Sequence, residues 1–289
     1  MKILLKQIRT YLNLSQSDFA DEMKVTFQTV NRWENGHVYP NKLAQYNIYE
    51  YCKDKNVPVY EMILNRIDEE TNRIETAENK ILLYHGSKSG IKGKIRPISR
   101  DKCDFGKGFY MGTVPSQPLT LIGGFDASRF YIVSIDLGNL SIKEIPTGLD
   151  WAMTVALNRG KMDDYRNSPV YKKYRNMTLD KDIVIGNIAD DRMFFVMDRF
   201  FGGDITDEAL VNSLSALELG KQYVAVSQKA CDNICIEKEI ELSYLERQFI
   251  ADAADQNREK GIRIANDICR NHRREGLYFD EILEGIGYE

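Results

Sequence analysis

Over the first 66 residues the apolar positions recur three and four apart. Leu4, Leu5, Ile8 and Leu12 line one face of a first helix, and Phe19, Ala20 and Met23 one face of a second. Val30 and Trp33 face inward on a third, which Gly36 ends. Ser15 and Thr26 stand where the second and third helices begin. A short hydroxyl there accepts from first-turn N–H groups that have no partner inside the helix. The segment from Asp68 to Lys80, DEETNRIETAENK, has no apolar face worth burying and reads as a linker or an exposed helix end. Beyond it the pattern turns strand-like in ILLY (81–84) and FYIVSIDL (130–137), and Val224 and Val226 alternate after Gln222. From Tyr244 the spacing is helical again through Leu245, Phe249, Ala253, Ile264 and Ile268. Leu277, Tyr278, Phe279, Ile282, Leu283 and Ile286 form a terminal apolar cluster. The expected chain is α+β in four stretches: a helical domain over 1–66, a linker over 67–79, a mixed domain over 80–245 and a helical extension over 246–289. Packing against the mixed domain is the plainer role for the extension, and docking a partner the alternative.

Composition sharpens this picture without changing it. The 289 residues are 43% hydrophobic, 28% charged and 10% aromatic, as expected of a folded chain with a core and more than one domain. Five cysteines, odd in number and scattered, argue against a disulfide framework and suit a reducing cytoplasm. No apolar run nears the roughly 20 residues of a membrane-spanning helix, and Lys6 and Arg9 interrupt any signal-peptide core, so a cytoplasmic protein with no membrane partner is expected. The formal charge of -4 is unevenly spread. Residues 1–66 hold nine Lys and Arg against seven Asp and Glu, and the remainder 30 against 36. The acidic balance therefore lies outside the first domain.

On that first domain Gln28, Thr29, Asn31 and Arg32 fall on the solvent side of the third helix. Amides, a hydroxyl and one arginine near a helix start suit major-groove base edges and the flanking phosphates. The run LSQSDFADEMKVTFQTVNRWENG resembles the Cro/repressor (XRE-type) helix-turn-helix family, over about residues 3–63. The resemblance implies DNA binding, with Gln16 on a phosphate and Gln28, Thr29 and Arg32 facing bases or backbone. The charge excess is slight and phosphate contact dominates affinity, so a homodimer on a palindromic site is expected. The plainer alternative is a small bundle that docks a protein.

The rest of the chain offers few conventional motifs. Three histidines, at 37, 85 and 272, exclude a His-rich metal site, and no metal is expected. Cys231 and Cys235 lack a second pair and read as small buried apolar residues. The glycines of DFGKGFYMG (104–112) are spaced G-x-G-x-x-x-G, which does not fit a dinucleotide fold. Three segments remain: YHGS at the end of the first strand, the aromatic strand Phe109-Tyr110 between glycines, and Gln222 entering a late strand. Singly, each has a plain reading: a hydrogen-bonding histidine, a hairpin, a surface glutamine.

In this order the three segments resemble the ADP-ribosyltransferase superfamily in its His-Tyr-Glu branch. Over about 80–245 the chain resembles, more narrowly, a bacterial family of unassigned function within it, through DWAMTVALNRG (150–160) and DIVIGNIADDR (182–192) as well. The resemblance implies a split, strongly bent sheet holding NAD as co-substrate in a cleft. It implies His85 on the ribose hydroxyls, Gly86 holding the nicotinamide carboxamide through its backbone with Ser87 beside it, and Tyr110 stacked on the nicotinamide. Lys107, next to Gly108, is a candidate phosphate contact. Gln222 stands where the branch carries its glutamate: it can accept a hydrogen bond but brings no charge and removes no proton. Arg159 is a candidate for the NAD phosphates or a helix cap, and Asp190-Asp191 for orienting a neighbour or forming a turn.

The expectation is an NAD-dependent mono-ADP-ribosyltransferase, a toxin-like or phage-defence effector whose helix-turn-helix regulates its own operon. A protein or nucleic-acid acceptor and an antitoxin complete the expected partners. The alternative is a transcription regulator whose inactive domain senses NAD or ADP-ribose by binding alone. A scaffold using neither site is the third reading.

Overall fold

The computed structural model describes residues 1–188, 191–215, 220–272 and 275–284. Five helices come first: α1 (Lys2–Tyr11), α2 (Gln16–Glu22), α3 (Phe27–Glu34), α4 (Lys42–Asp54) and α5 (Val59–Asn72). Ser15 caps α2 in a reciprocal box with Asp18, and Thr26 caps α3 through the Thr29 N–H. Gly36, at φ +75°, takes the left-handed conformation that closes α3, as its lack of a Cβ allows. Leu4, Leu5, Ile8, Phe19, Ala20, Met23, Val30 and Trp33 are all buried.

The second part runs β1 (Lys80–Ser87), β2 (Phe109–Gly112), α6 (Ser116–Ile122), β3 (Arg129–Asp136), β4 (Ile142–Ile145), α7 (Leu149–Asn158), α8 (Pro169–Met177), β5 (Ile183–Asn187), α9 (Asp191–Phe201), α10 (Asp207–Ser215), β6 (Lys221–Ala225), α11 (Gln228–Asp232) and β7 (Ile234–Glu241). The strands make one seven-stranded sheet in the order β4-β5-β6-β2-β1-β3-β7, antiparallel except for β4 with β5. Its seam lies between β2 and β1. There the ladder holds one pair, Tyr84 with Gly112, whereas β1 pairs β3 along all eight of its residues and β2 pairs β6 along all four. The two halves of the sheet are thus joined at one point and part beyond it.

The expected linker, 67–79, begins inside α5, which continues to Asn72 because Ile67 is buried and Thr71 back-bonds to the Ile67 carbonyl. Nor are the two parts separate. The apolar interior of α1–α5 continues into Leu119, Ile122, Phe130 and Ile132 of the sheet layer, and into Leu245, Phe249 and Ile250 of α12 (Tyr244–Asn271). That 28-residue helix packs on α4 and α5 near its start and on α9 and α10 further along. The extension therefore braces both parts rather than the mixed domain alone. Gln45 accepts from the Leu245 N–H at 3.0 Å, Tyr49 donates to Asp252 at 2.7 Å, and Arg66 pairs with Glu246. A short α13 (Phe279–Leu283) tucks Phe279 and Ile282 into a second core, with Trp151 of α7, Phe200 of α9 and Val224 of β6. Of the terminal apolar cluster Tyr278 is exposed, and Ile286 lies outside the described residues. Cys231 is buried, but Cys235 is exposed on β7, an edge strand whose residues are largely exposed, which corrects the reading of both as buried. Among the described residues no helix is long and apolar enough to cross a membrane.

Candidate functional site at the sheet seam and the DNA-facing helix

Where β1 and β2 part, side chains take over from the backbone ladder. His85 Nδ1 lies 2.7 Å from the Tyr110 carbonyl, bridging the seam next to the last ladder pair. A carbonyl only accepts, so Nδ1 carries the proton and Nε2 is left as a bare acceptor. The imidazole stacks on Phe109 at 4.1 Å, with Tyr131 at 6.1 Å. Burial among these rings lowers its pKa to about 4, against a smaller opposing effect of the Tyr110 carbonyl, so the ring is neutral at ordinary pH. Nδ1–H donates to that carbonyl, and Nε2 can only accept.

Tyr110 is fixed from the other end. Its hydroxyl accepts from the Phe105 N–H at 3.0 Å and donates to the Gly106 carbonyl at 2.8 Å, pinning the loop that leads into β2. Burial, first among the causes, pushes its pKa well up, so it stays protonated. Register places Tyr110 opposite Val224 and Gly112 opposite Gln222, so Tyr110 and Gln222 share a face of the sheet. His85 alternates from Tyr84, which opposes Gly112, and lies with Phe109 on the other side of the pleat. No hydrogen bond among the described residues joins His85 to Gln222. His85 and Tyr110 lie on the two strands that flank the seam, and Gln222 lies on β6, across β2 from it.

Gly86 and Gly108 owe their identity to packing. A Cβ on Gly86 would lie 2.5 Å from the Pro118 carbonyl oxygen of α6, and one on Gly108 2.5 Å from Val224 Cγ1. Ser87 ends β1 opposite Arg129. Lys107 is exposed and 3.4 Å from Asp101. The β1–β2 connection, 88–107, holds seven Lys and Arg against two Asp, a local cationic excess that composition had averaged away. Arg159 is the C-cap residue of α7, as one of its two expected readings has it, and its guanidinium pairs with Asp104. Asp190 and the side chain of Asp191 lie outside the described residues.

Gln222, expected to be a surface residue on the plain reading, is buried. Its Nε2 donates to Asp104 Oδ2 at 2.8 Å and to the Asn187 carbonyl at 3.0 Å. Sequence reading missed Asp104 and Asn187. The available signal was Gly186: a glycine inside an apolar strand marks close approach, and here Phe105 lies over it, 2.5 Å from where a Cβ would be.

On the helix-turn-helix, Gln28 and Arg32 are exposed on α3. Thr29 shares its hydroxyl with Thr26 at 2.9 Å. Gln16 and Asn31 are tied inward: Gln16 donates to Glu34 at 2.8 Å and accepts from Asn31 at 3.3 Å, while Arg9 bonds the same carboxylate. Of the five candidate DNA-facing residues, Gln28 and Arg32 are exposed, and Gln16 and Asn31 join α3 to α2 through their side chains. A Gln28→Ala/Arg32→Ala double variant is expected to bind a cognate operator at least ~100-fold more weakly in a mobility-shift titration, two direct contacts being worth roughly 1–3 kcal/mol each. Unchanged affinity would move the interface off α3.

Residues 5–43 match the helix-turn-helix family model, and residues 81–235 match the model described as protein of unknown function (DUF3990). Neither a curated protein nor a solved structure matches the chain. With more than half of its length under the second match, and the seam, His85, Tyr110 and Gln222 all inside it, the chain belongs to the DUF3990 family and carries an N-terminal DNA-binding helix-turn-helix.

Proposed function

We propose that residues 80–245 form an NAD-dependent mono-ADP-ribosyltransferase domain, with an ADP-ribosyltransferase-like fold, in a toxin-like or defence effector whose helix-turn-helix acts on its own operon. The observation that carries this reading is the parted seam, where the bare Nε2 of His85, the backbone at Gly86 and the aromatic strand of Tyr110 come together. The residues present suit NAD. Its ribose hydroxyls need acceptors, which Nε2 and the Gln222 oxygen supply, and its pyrophosphate needs cations, which the 88–107 connection carries.

Bound NAD supplies a glycosidic bond whose cleavage sends the electron pair out with nicotinamide and leaves positive charge on the ribose. His85 and Gln222 orient the sugar, and the Tyr110 ring, fixed by its hydroxyl, restrains the leaving base. Gln222 removes no proton, so the acceptor atom that bonds to the ribose must arrive without one or release it to water. That favours transfer of one ADP-ribose over chain growth.

The second reading, an NAD or ADP-ribose sensor without turnover, is favoured by the core shared between the helix-turn-helix and the sheet layer. A ligand seated at the seam would then shift DNA affinity by linkage. Incubation of the protein, alone and in lysate, with labelled NAD separates the two. Transfer of label with nicotinamide release supports the transferase. Tight binding without release supports the sensor. Both are expected to be lost in His85→Ala, and label persisting in that variant would move the site elsewhere.

A further inference from the structure

Asp104 is 5% exposed and takes bonds from two sides. Arg159 donates to Oδ1, from Nε at 2.9 Å and from Nη2, and Gln222 Nε2 donates to Oδ2 at 2.8 Å. The second partner of that same nitrogen is the Asn187 carbonyl. Both partners of the amide are acceptors. A carboxylate paired with a guanidinium and a backbone carbonyl offer no proton, so the NH2 must face them and Oε1 must point away. The two ends of a carboxamide are otherwise nearly alike in shape, and only such partners choose between them.

Asp104 is itself held from several directions. Phe105 fills the place of a side chain at Gly186, and Arg159 is set by the end of α7. A glutamate at 222 would bring a carboxylate against Asp104 and against the Asn187 carbonyl, in a buried place with one guanidinium between two acids. Two such acids cannot both ionise freely. Position 222 is therefore built around an amide and is not a glutamate site that has lost its charge.

We propose that Asp104, anchored by Arg159, is a positioning residue that turns the Gln222 oxygen outward as an acceptor and excludes glutamate from this position. What that oxygen meets rests on the NAD reading above; its orientation does not. The test is a four-member cycle of full-length wild type, Gln222→Glu, Asp104→Asn and the double variant, melted between pH 5 and 8 and titrated with NAD. At pH 8 Gln222→Glu is expected to melt roughly 5–10 °C lower, at the few degrees per kcal/mol usual for this size.

The deficit should shrink toward pH 5, where the two acids share a proton, whereas a purely steric misfit would be independent of pH. Among the described residues the charged group facing position 222 besides Asp104 is Arg159, with the protonated Tyr110 adjoining that pair and Cys103 beside it. In the double variant the amide introduced at 104 can donate to the carboxylate introduced at 222, so most of the loss should be recovered. A Gln222→Glu protein as stable as wild type at pH 8, or a double variant melting no higher than Gln222→Glu, would overturn the role of Asp104. For Asp104→Asn, NAD affinity is expected to fall about tenfold, as a released amide divides its time between two orientations and meets the ligand with the wrong end. Coupling in the melts with no NAD binding by wild type would sustain the positioning role and reject the NAD reading.

Discussion

Replacing Glu246 with alanine is expected to cost about 3–5 kcal/mol, the usual loss when one member of a buried ion pair is removed and the other remains. Glu246 is 1% exposed, at the third position of α12. It pairs with Arg66 of α5, and it closes the capping box by accepting from the Ser243 N–H at 2.7 Å. Burial opposes its charge, yet Arg66, the nearby N-terminal amine and Ser243 outweigh that and hold its pKa below the usual carboxylate range. The folded form thus prefers the ionised carboxylate more than the unfolded chain does. The contribution is complete above the unfolded pKa and is lost as pH falls through the folded one.

Alanine would leave the Arg66 guanidinium buried, with Nη2 already lacking a partner. The two tryptophans report the outcome separately, Trp33 from the helix-turn-helix and Trp151 from α7. Urea unfolding followed in single-tryptophan variants should give coincident transitions in wild type, because the helical bundle and sheet layer share one core. In Glu246→Ala both should shift, with Trp33 the earlier. An Arg66→Met/Glu246→Leu variant should recover most of the loss, since a well-packed apolar pair can replace a buried ion pair. A loss below about 1 kcal/mol in Glu246→Ala would mean that the pair contributes little to joining the two parts.

That joining was the part of the fold least legible in the sequence. The helix-turn-helix was readable because its signals are local: Ser15, Thr26 and Gly36 mark ends within a turn of the residues they cap, and Leu4, Phe19 and Trp33 follow one period. The strands at 81–84 and 130–137 were readable for the same reason. The partners of α12 were not. Its apolar residues establish that it buries a face, but a period says nothing about which surface the face meets, and Gln45, Tyr49 and Arg66 lie about 180 to 203 residues away. The site divides likewise. His85, Tyr110 and Gln222 were singled out from residue type and order. The pleat that sets His85 apart from the other two follows from a register fixed by Tyr84 and Gly112. That Asp104 pairs with Arg159 was not legible, because an ion pair spanning 55 residues leaves no periodicity.

A pH titration of stability should expose His85. Its folded pKa is about 4 against an ordinary 6.5, because the ring is buried between Phe109 and Tyr131 and its sole bond within the described residues goes to a backbone carbonyl. Between those two values the unfolded chain binds a proton that the folded chain refuses. Stability is therefore complete above about pH 6.5 and falls as pH drops, by about 1.4 kcal/mol per unit, to a total near 3 kcal/mol at pH 4. Ordinary carboxylates titrate near the lower end of the same range, so the informative quantity is a difference. A His85→Asn variant keeps a donor for the Tyr110 carbonyl and has nothing to protonate. It should be less stable than wild type at pH 8, where only packing against Phe109 is lost, and the gap should close by up to about 3 kcal/mol on going to pH 4. A gap that is constant with pH would mean that the imidazole titrates near its ordinary value and reaches solvent freely. Such a ring would be partly charged near pH 6 and could donate from Nε2, and the acceptor role drawn for it at the seam would have to be replaced by a donor role.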